Sequence, residues 1–237
     1  MENTIALSNL LFAFVPVLLV LIFYYRWSLN FRHVGYALFR MLMQLLLVGY
    51  ALAYIFVTDL PLVIVFILML MVVISSWISL NVIEKYRSQL FFRAVVAIAV
   101  GGGVSLICVS YGVLMIKPWY SPQILVPLGG MAFASAMTSI SLCAERFFAE
   151  KTRTDNFEKV RSIAFNAGMI PVVNSLFAVG LVSLPGMMTG QILSGVSPLI
   201  ASRYQIMVMC MVFSASGLST ALFLVLLKSY FPFKERK

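Results

Sequence analysis

Charged residues are scarce in this sequence and make up 11% of its 237 residues. A soluble domain carries about 25% charged residues and about half apolar ones, whereas 62% of this chain is hydrophobic. A globular protein of this length has no interior large enough to hold so many apolar side chains. The composition therefore excludes an ordinary soluble protein and predicts one that lies in a lipid bilayer.

The residue patterns of common enzyme and metal sites are also missing. The sequence has no GxxxxGK[ST] motif, so it lacks the loop that cradles nucleotide phosphates. Its single histidine, His33, excludes the HExxH zinc motif, and Cys108, Cys143 and Cys210 show no CxxC spacing. We therefore expect a protein that is not an enzyme and that binds no cofactor itself.

No long hydrophilic stretch remains for a soluble domain, because apolar runs follow one another along the whole chain. A membrane-spanning helix needs about 20 consecutive apolar residues, and seven runs meet that length. The sequence predicts an all-α, polytopic protein whose residues 1–237 form a single transmembrane domain. The seven predicted spans are Ile5–Tyr25, Val34–Val57, Leu60–Leu80, Phe91–Ile116, Pro122–Ala144, Ile163–Leu184 and Tyr204–Leu227.

Positive charge is almost missing from alternate connections between these spans. If the N-terminus lies outside, all of the 17 Lys and Arg residues except Lys117 and Arg203 fall in cytoplasmic connections or the C-terminal tail. The positive-inside rule then predicts an N-out, C-in, multi-pass protein of the plasma membrane, in a bacterium the inner membrane. The same rule explains the net charge of +9 without a nucleic-acid partner.

Acidic residues are missing from the interiors of the predicted spans. All eight Asp and Glu residues lie in connections, tails or span ends. Carriers driven by proton or sodium gradients usually keep ionisable groups near the membrane midplane. We therefore expect any uphill transport to take its energy from a partner protein.

Proline and glycine concentrate between Pro171 and Pro198. An interior proline removes a backbone hydrogen bond and clashes with the preceding turn, so the sequence predicts a helix that breaks near Pro185. Irregular backbone at membrane depth occurs where it is buried in protein or lines a water-filled cavity. The alternative is a kinked helix in which Gly186 and Gly190 form a GxxxG contact.

The predicted break supplies candidate groups for a transported solute. Unwound carbonyl oxygens hold solutes near the midplane in many transporters, and Asn174 precedes Pro185 by about three helical turns. Thioethers favour soft metal ions, although packing is the alternative role of the methionines. In the second span, Gln44 either contacts solute or only packs the bundle. The candidate pathway residues are Gln44, Asn174, Ser183, Pro185, Gly186, Met187 and Met188, and the identity of any metal stays open.

The longest hydrophilic connection runs over residues 145–162. It forms either a short amphipathic helix that docks into a soluble partner or a solvated linker with interfacial aromatic residues. Its basic side chains Arg153, Lys159 and Arg161 are the predicted contacts to that partner.

Several sequence blocks resemble the UPF0014 family. The most specific is GLVSLPGMMTGQILSG at 180–195, followed by YQIMV at 204–208. Further matches are RMLMQLLLVGYALAYIF at 40–56, PLGGM from Pro127 and IPVVNS from Ile170. Two departures accompany them: the connection before Pro171 lacks an LGA-containing turn, and Asn174 stands where some relatives carry Asp.

The resemblance implies a permease subunit that pairs with a cytosolic ATP-binding-cassette (ABC) ATPase, which uses the ATP. It further implies export of iron or a related small solute, by alternating access in a homodimer or higher oligomer within the bilayer. Two other classes stay open: an ion-gradient carrier or channel, and a membrane scaffold that transports nothing.

Overall fold

The computed structural model describes residues 7–56 and 60–231, and every regular element within these ranges is a helix. The predicted all-α class is therefore confirmed. The chain forms two compact units, Met1–Val57 and Thr58–Lys237; a single transmembrane domain stays a prediction. Of the residues used for the sequence predictions, Ile5, Val57, Asp59 and the charged residues at 2 and 234–237 lie outside the described ranges.

The first unit contains two apolar helices. Short helical turns at Leu7–Leu10 and Leu11–Ala13 lead into α1, Phe14–Arg26. A tight turn follows, in which the Asn30 side chain accepts a hydrogen bond from the His33 amide at 3.2 Å. This bond satisfies a free amide at the start of α2, Phe31–Ile55.

Within residues 60–231, the second unit contains six α-helices: α3 (Pro61–Ser79), α4 (Arg87–Ile107), α5 (Pro122–Lys151), α6 (Phe157–Ala178), α7 (Gly186–Leu193) and α8 (Pro198–Lys228). Three of them, α3, α5 and α8, begin with proline, whose missing amide costs nothing in the first turn. The 3₁₀ helix Asn81–Tyr86 joins α3 to α4, and α4 continues into a π-helical segment, Cys108–Val113.

The centre of this unit is built from α4, α5 and α8. The ring of Phe148 near the end of α5 lies 5.5 Å from that of Phe231, just beyond α8, so α5 and α8 run in the same direction. The Arg93 guanidinium near the start of α4 lies 4.4 Å from the Tyr230 ring, so α4 runs in the opposite direction. Helix α6 packs against both α5 and α8.

Glycine allows the closest helix contacts. A Cβ atom on Gly101 would lie 2.8 Å from the Ser219 Cα, and one on Gly102 would lie 2.7 Å from the Phe133 ring. On α6, a Cβ atom on Gly168 would lie 2.7 Å from the Ser139 carbonyl oxygen. Small residues bring helix backbones together in membranes in this way.

Five helices of the described part of the chain are long and apolar enough to cross a membrane. They are α2 over Phe31–Leu52, α3, α4 with its flanking 3₁₀ and π segments, α5 and α8. The protein is therefore a multi-pass membrane protein. Helix α1 is a shorter apolar helix, and α6 rises about 33 Å over its 22 residues. Seven spans and the N-out orientation stay predictions.

The helix break lies earlier than the sequence predicted. Helix α6 ends at Ala178, and α7 begins at Gly186. Gly180 has φ of 86°, a left-handed conformation that non-glycine residues adopt at a cost. This glycine turns the chain, while Pro185 occupies the N-cap of α7. A break near Pro185 is confirmed, but it begins seven residues before that proline.

The predicted hydrophilic connection over 145–162 is largely helical. Residues up to Lys151 belong to α5 and those from Phe157 belong to α6. The Asn156 side chain caps α6 by accepting from the Lys159 amide at 3.1 Å. The segment is therefore neither a separate short amphipathic helix nor a solvated linker, because its two ends belong to α5 and α6 and Phe147 and Phe157 are 0% and 8% exposed. Docking of a soluble partner onto it stays a prediction.

Candidate functional site

A cleft of about 140 Å³ opens between α5, α6 and α8. Four of its seven lining residues carry hydroxyl groups, and the other three are apolar. This volume is large enough for several water molecules or a small solute. The cleft is lined by Ser135, Thr138, Ser139, Pro171, Val172, Ser175 and Val212.

Two of the three helices that form the cleft contribute residues from near their middle, whereas α6 contributes Ser175, three residues before its end at Ala178. Ser135 follows the start of α5 by about 20 Å of helix rise and precedes its end by about 24 Å. Val212 is similarly central in α8. The hydroxyl groups therefore lie near the middle of two helices that can each span a membrane.

One hydrogen bond joins the two parallel helices beside the cleft. The Ser135 and Ser216 hydroxyl oxygens lie 2.6 Å apart, and Ser216 is 0% exposed. One further turn along each helix come Ser139 and Thr220, since residues four apart share a helix face. The two helices thus face each other with a short ladder of hydroxyl groups.

The ladder continues into the protein beyond the cleft. Ser219 and Thr220 are both 0% exposed, and neither hydroxyl has a hydrogen-bond partner among the described residues. A Cβ atom on Gly168 would lie 3.4 Å from the Thr220 Cγ2 and 2.7 Å from the Ser139 carbonyl oxygen, which places Thr220 next to Ser139. Polar groups buried without partners cost free energy, and those within membrane spans tend to be functional.

Two lining hydroxyls turn their protons away from the cleft. Thr138 Oγ1 donates to the Ala134 carbonyl at 3.0 Å, and Ser175 Oγ donates to the Pro171 carbonyl at 3.0 Å. A hydroxyl that donates keeps two lone pairs. Thr138 and Ser175 therefore offer acceptor oxygens to a solute in the cleft.

In the helices that line the cleft, formal charge lies near the helix ends and is absent from the cleft lining. The buried Glu150 carboxylate at the end of α5 pairs with Arg146 at 2.9 Å and with Arg153 at 3.2 Å. Within residues 7–56 and 60–231, no group of three or more His, Cys, Asp or Glu side chains could hold a metal ion.

The end of the second unit where α5 and α8 finish forms a surface that we call the basic-aromatic face. Tyr86 and Phe148 stack with ring centroids 4.7 Å apart, and the Phe231 ring lies edge-on to both. Cations cover these rings: Lys151 Nζ lies 3.3 Å from the Phe231 centroid. The face comprises Tyr86, Phe147, Phe148, Phe157, Tyr230 and Phe231, with Lys85, Arg93, Lys151, Arg161 and Lys228 against their rings.

All three predicted partner contacts lie at this end and are exposed. Arg153 pairs with Glu150, Lys159 belongs to the first turn of α6, and the Arg161 guanidinium lies 5.8 Å from the Phe157 ring. The structure therefore brings them to one end of the unit, whereas Lys117 and Arg203 belong to the opposite end.

The predicted pathway residues are scattered. Gln44 occupies an exposed position on α2 in the first unit. Asn174 is exposed on α6, while its neighbour Ser175 lines the cleft. Because α6 ends at Ala178, the argument that helical spacing aligns Asn174 with Pro185 is wrong.

The helix break satisfies much of its own backbone. The Ala178 carbonyl accepts from the amides of Val182 and Ser183 at 2.8 and 3.1 Å, and the Ser183 carbonyl accepts from Gly180. The Pro185 carbonyl accepts from the Thr189 amide at 3.0 Å. Ser183 and Gly186 are exposed, and Met187 and Met188 are half-buried in the first turn of α7. Among the described residues, no hydrogen bond is found to the carbonyls of Val179, Gly180, Leu181 and Val182, so these four oxygens are the free carbonyls of the break.

The sequence did not identify the hydroxyl-bearing residues of the cleft, because each is a single small polar residue in an apolar run. A usable signal was present: Ser135 and Ser139, like Ser216 and Thr220, stand four residues apart, so each pair marks one helix face. Gln191 and Gln205 were also missed, although the side-chain oxygen of each is buried without a partner in the described part of the chain.

Comparison with known proteins gives consistent matches. The model of the uncharacterised protein family UPF0014 matches residues 7–156 and 151–231. The two matched segments meet at the turn between α5 and α6. No solved structure matches the chain.

Three curated relatives align with most of the chain. It is 37% identical over 199 residues to the UPF0014 membrane protein slr1647 of Synechocystis sp., covering 76% of each. It is 32% identical over 196 residues to the Probable iron export permease protein FetB of Escherichia coli, covering 76% of this chain and 74% of the relative. The protein ALUMINUM SENSITIVE 3 of Arabidopsis thaliana is 27% identical over 225 residues, covering 88% of this chain and 81% of the relative.

Proposed function

Because the chain belongs to the UPF0014 family, we propose that it is the permease subunit of a transporter that exports iron or a related metal-containing solute. The observation that carries the proposal is the 32% identity, over 76% of this chain, to the relative named a Probable iron export permease. The proposal includes seven spans, an N-out orientation, the bacterial inner membrane, and a homodimer or higher oligomer.

The cargo site in this proposal is the cleft between α5, α6 and α8. A permease needs a polar surface within an apolar bundle, and the cleft offers four hydroxyl-bearing residues, three of them near the middle of α5. The hydroxyl ladder extends the polar surface from Ser135 and Ser216 to Thr220. Beyond it, Phe223 is 0% exposed and closes the bundle toward the basic-aromatic face. This asymmetry supports an alternating-access cycle in which the packed end must open.

The energy source in this proposal is a separate ABC ATPase at the basic-aromatic face. The cleft lining carries no carboxylate that would bind a coupling proton or sodium ion. The exposed charges of Arg153, Lys159 and Arg161 supply a surface for an acidic partner, and charge complementarity sets the specificity of such contacts. ATP is bound and hydrolysed by that partner, not by this chain.

The proposal is tested by iron efflux from cells. Cells loaded with radioactive iron should lose it faster when they express this chain together with the ATPase that co-purifies with it. An ATPase variant that cannot hydrolyse ATP should abolish the gain. Efflux by purified chain alone in vesicles with a proton gradient would instead identify an ion-gradient carrier, and unchanged iron content in every arm would contradict export.

A further inference from the structure

The cleft has a neutral lining, which restricts the charge of what it can hold. Its side chains are serine, threonine, proline and valine. Glu145, the acidic residue on α5 nearest to the lining residues, is exposed and lies about 9 Å of helix rise beyond Ser139. The cleft can therefore form hydrogen bonds with a solute but has no opposite charge to pair with a metal ion.

From this lining we propose that the cleft takes its cargo as a charge-compensated, oxygen-rich complex, for iron a neutral chelate, and not as a bare metal cation. This inference rests on the proposed transport function and names the cargo class of the same site. It follows from the cost of taking a multivalent ion out of water, which neutral hydroxyl groups alone do not offset.

The charges at the two ends of the second unit also argue against a bare cation as the cargo. Arg203 lies near the start of α8, and Lys117 lies in the connection before α5. Both residues are exposed. The opposite end carries the cations of the basic-aromatic face. Positive charge at both ends of the unit lowers the local concentration of free cations and favours neutral or anionic solutes.

The hydrogen-bonding pattern suits a chelate. Thr138 and Ser175 present acceptor oxygens, and the Ser135 hydroxyl, which shares one hydrogen bond with Ser216, keeps at least one lone pair. The apolar surface of Val172 and Val212 can cover the organic part of a ligand. A complex with oxygen atoms and small alkyl groups on its surface can contact both the hydroxyl groups and the valine side chains of the lining.

The test compares two forms of radioactive iron on the full chain in lipid nanodiscs. The probes are ferric tris(acetohydroxamate), which is neutral, and ferrous ion kept reduced with ascorbate. We expect retention of the chelate above the level of empty nanodiscs and no excess retention of ferrous ion. Saturable retention of ferrous ion without retention of the chelate would overturn the proposal.

Variants locate the binding in the cleft. The double variant Thr138→Val/Ser175→Ala should weaken chelate binding at least tenfold, because it removes two acceptor oxygens whose hydrogen bonds lie within single helices. Ser229→Ala is the matched control, since its hydroxyl donates to the Leu226 carbonyl at 2.9 Å away from the cleft. Thr138→Asp should lower chelate binding and create ferrous-ion binding. Equal chelate binding in the double variant and the control would overturn the assignment.

The same variants in the efflux assay separate this proposal from the proposed function. Efflux that requires Thr138 and Ser175, without chelate binding in nanodiscs, would leave the transport function standing and overturn the cargo class. Chelate binding that depends on both residues, without any efflux, would support the cargo class and overturn export.

Discussion

The Ser135 and Ser216 hydroxyl oxygens lie 2.6 Å apart and join the middle of α5 to the middle of α8. Ser216 is fully buried, so loss of its partner leaves a polar group without compensation. The bond therefore links the stability of the helix pair to the polarity of the cleft.

Ser135→Ala and Ser216→Ala should each destabilise the protein, and the double variant should cost less than the sum. Hydrogen bonds between membrane helices contribute about 0.6 kcal/mol on average, so we expect a coupling free energy of that order. Unfolding in mixed micelles measures it. Thr138→Val is the control, because its hydroxyl bonds within its own helix, and a coupling energy of zero would show that the two serines act independently.

Gly101→Ala should destabilise the protein by about 1–3 kcal/mol, the usual cost of an overpacked contact. The added Cβ would lie 2.8 Å from the Ser219 Cα, which is backbone and cannot move alone. Gly103→Ala on the same helix is the control, since no described atom lies within 4 Å of its added Cβ. Melting of the purified variants in detergent tests this, and equal melting temperatures would contradict the close contact.

The sequence predicted the helical class because that class depends on local patterns. Apolar runs of span length identify α2, α3, α4, α5 and α8 directly. The Gly101–Gly103 triplet suggests close packing, and its first two members provide it.

The cleft could not be predicted in the same way, because it arises from the packing of three helices. Ser135 and Ser216 are far apart in the chain, and no local motif pairs them. The exact position of the helix break depends on the left-handed Gly180, and the prolines around it gave a stronger sequence signal than the glycine did. The prediction of Asn174 missed the cleft by one residue for the same reason: helix rotation decides whether residue 174 or 175 faces α5.

Charge reversal at Arg153, Lys159 and Arg161 together should lower ATPase binding and uncouple ATP hydrolysis from transport. All three are exposed at one end of the second unit, so their replacement by Glu should leave membrane levels unchanged. Co-purification and substrate-stimulated ATP hydrolysis are the measurements. Reversal at Lys117 and Arg203, at the other end, is the control, and normal coupling in the triple variant would move the contact to Glu84, Lys85 and Arg87.

The orientation is tested by single cysteines in a background that lacks Cys108, Cys143 and Cys210. A cysteine at Lys117 should react with an impermeant thiol reagent applied to intact cells, whereas one at Thr154 should react only after the membrane is opened. These residues belong to connections at opposite ends of α5. Reaction at Thr154 from outside would reverse the N-out assignment.

Substitutions in the helix break distinguish the structural role of Gly180 from that of Pro185. Pro185→Ala should leave the turn in place, because Gly180 and the hydrogen bonds to the Ala178 carbonyl hold it. Gly180→Ala should destabilise the protein by about 1–2 kcal/mol, since its φ of 86° is left-handed. Gly186→Ala is the matched control at the start of α7, where no described atom lies within 4 Å of an added Cβ.

Transport by the same set of variants decides whether the break serves the cargo path. If transport depends on the shape of this turn, Gly180→Ala should slow iron efflux while Pro185→Ala and Gly186→Ala retain it. Met187→Leu and Met188→Leu keep the side-chain volume and remove the sulfur. Both residues are half-buried, so these variants distinguish a packing role from metal ligation. Because the proposed cargo site is the hydroxyl cleft, both leucine variants should export at the parental rate. Loss of efflux in either variant, with normal membrane levels and melting temperature, would show that a methionine sulfur contacts the cargo and would place the cargo at α7.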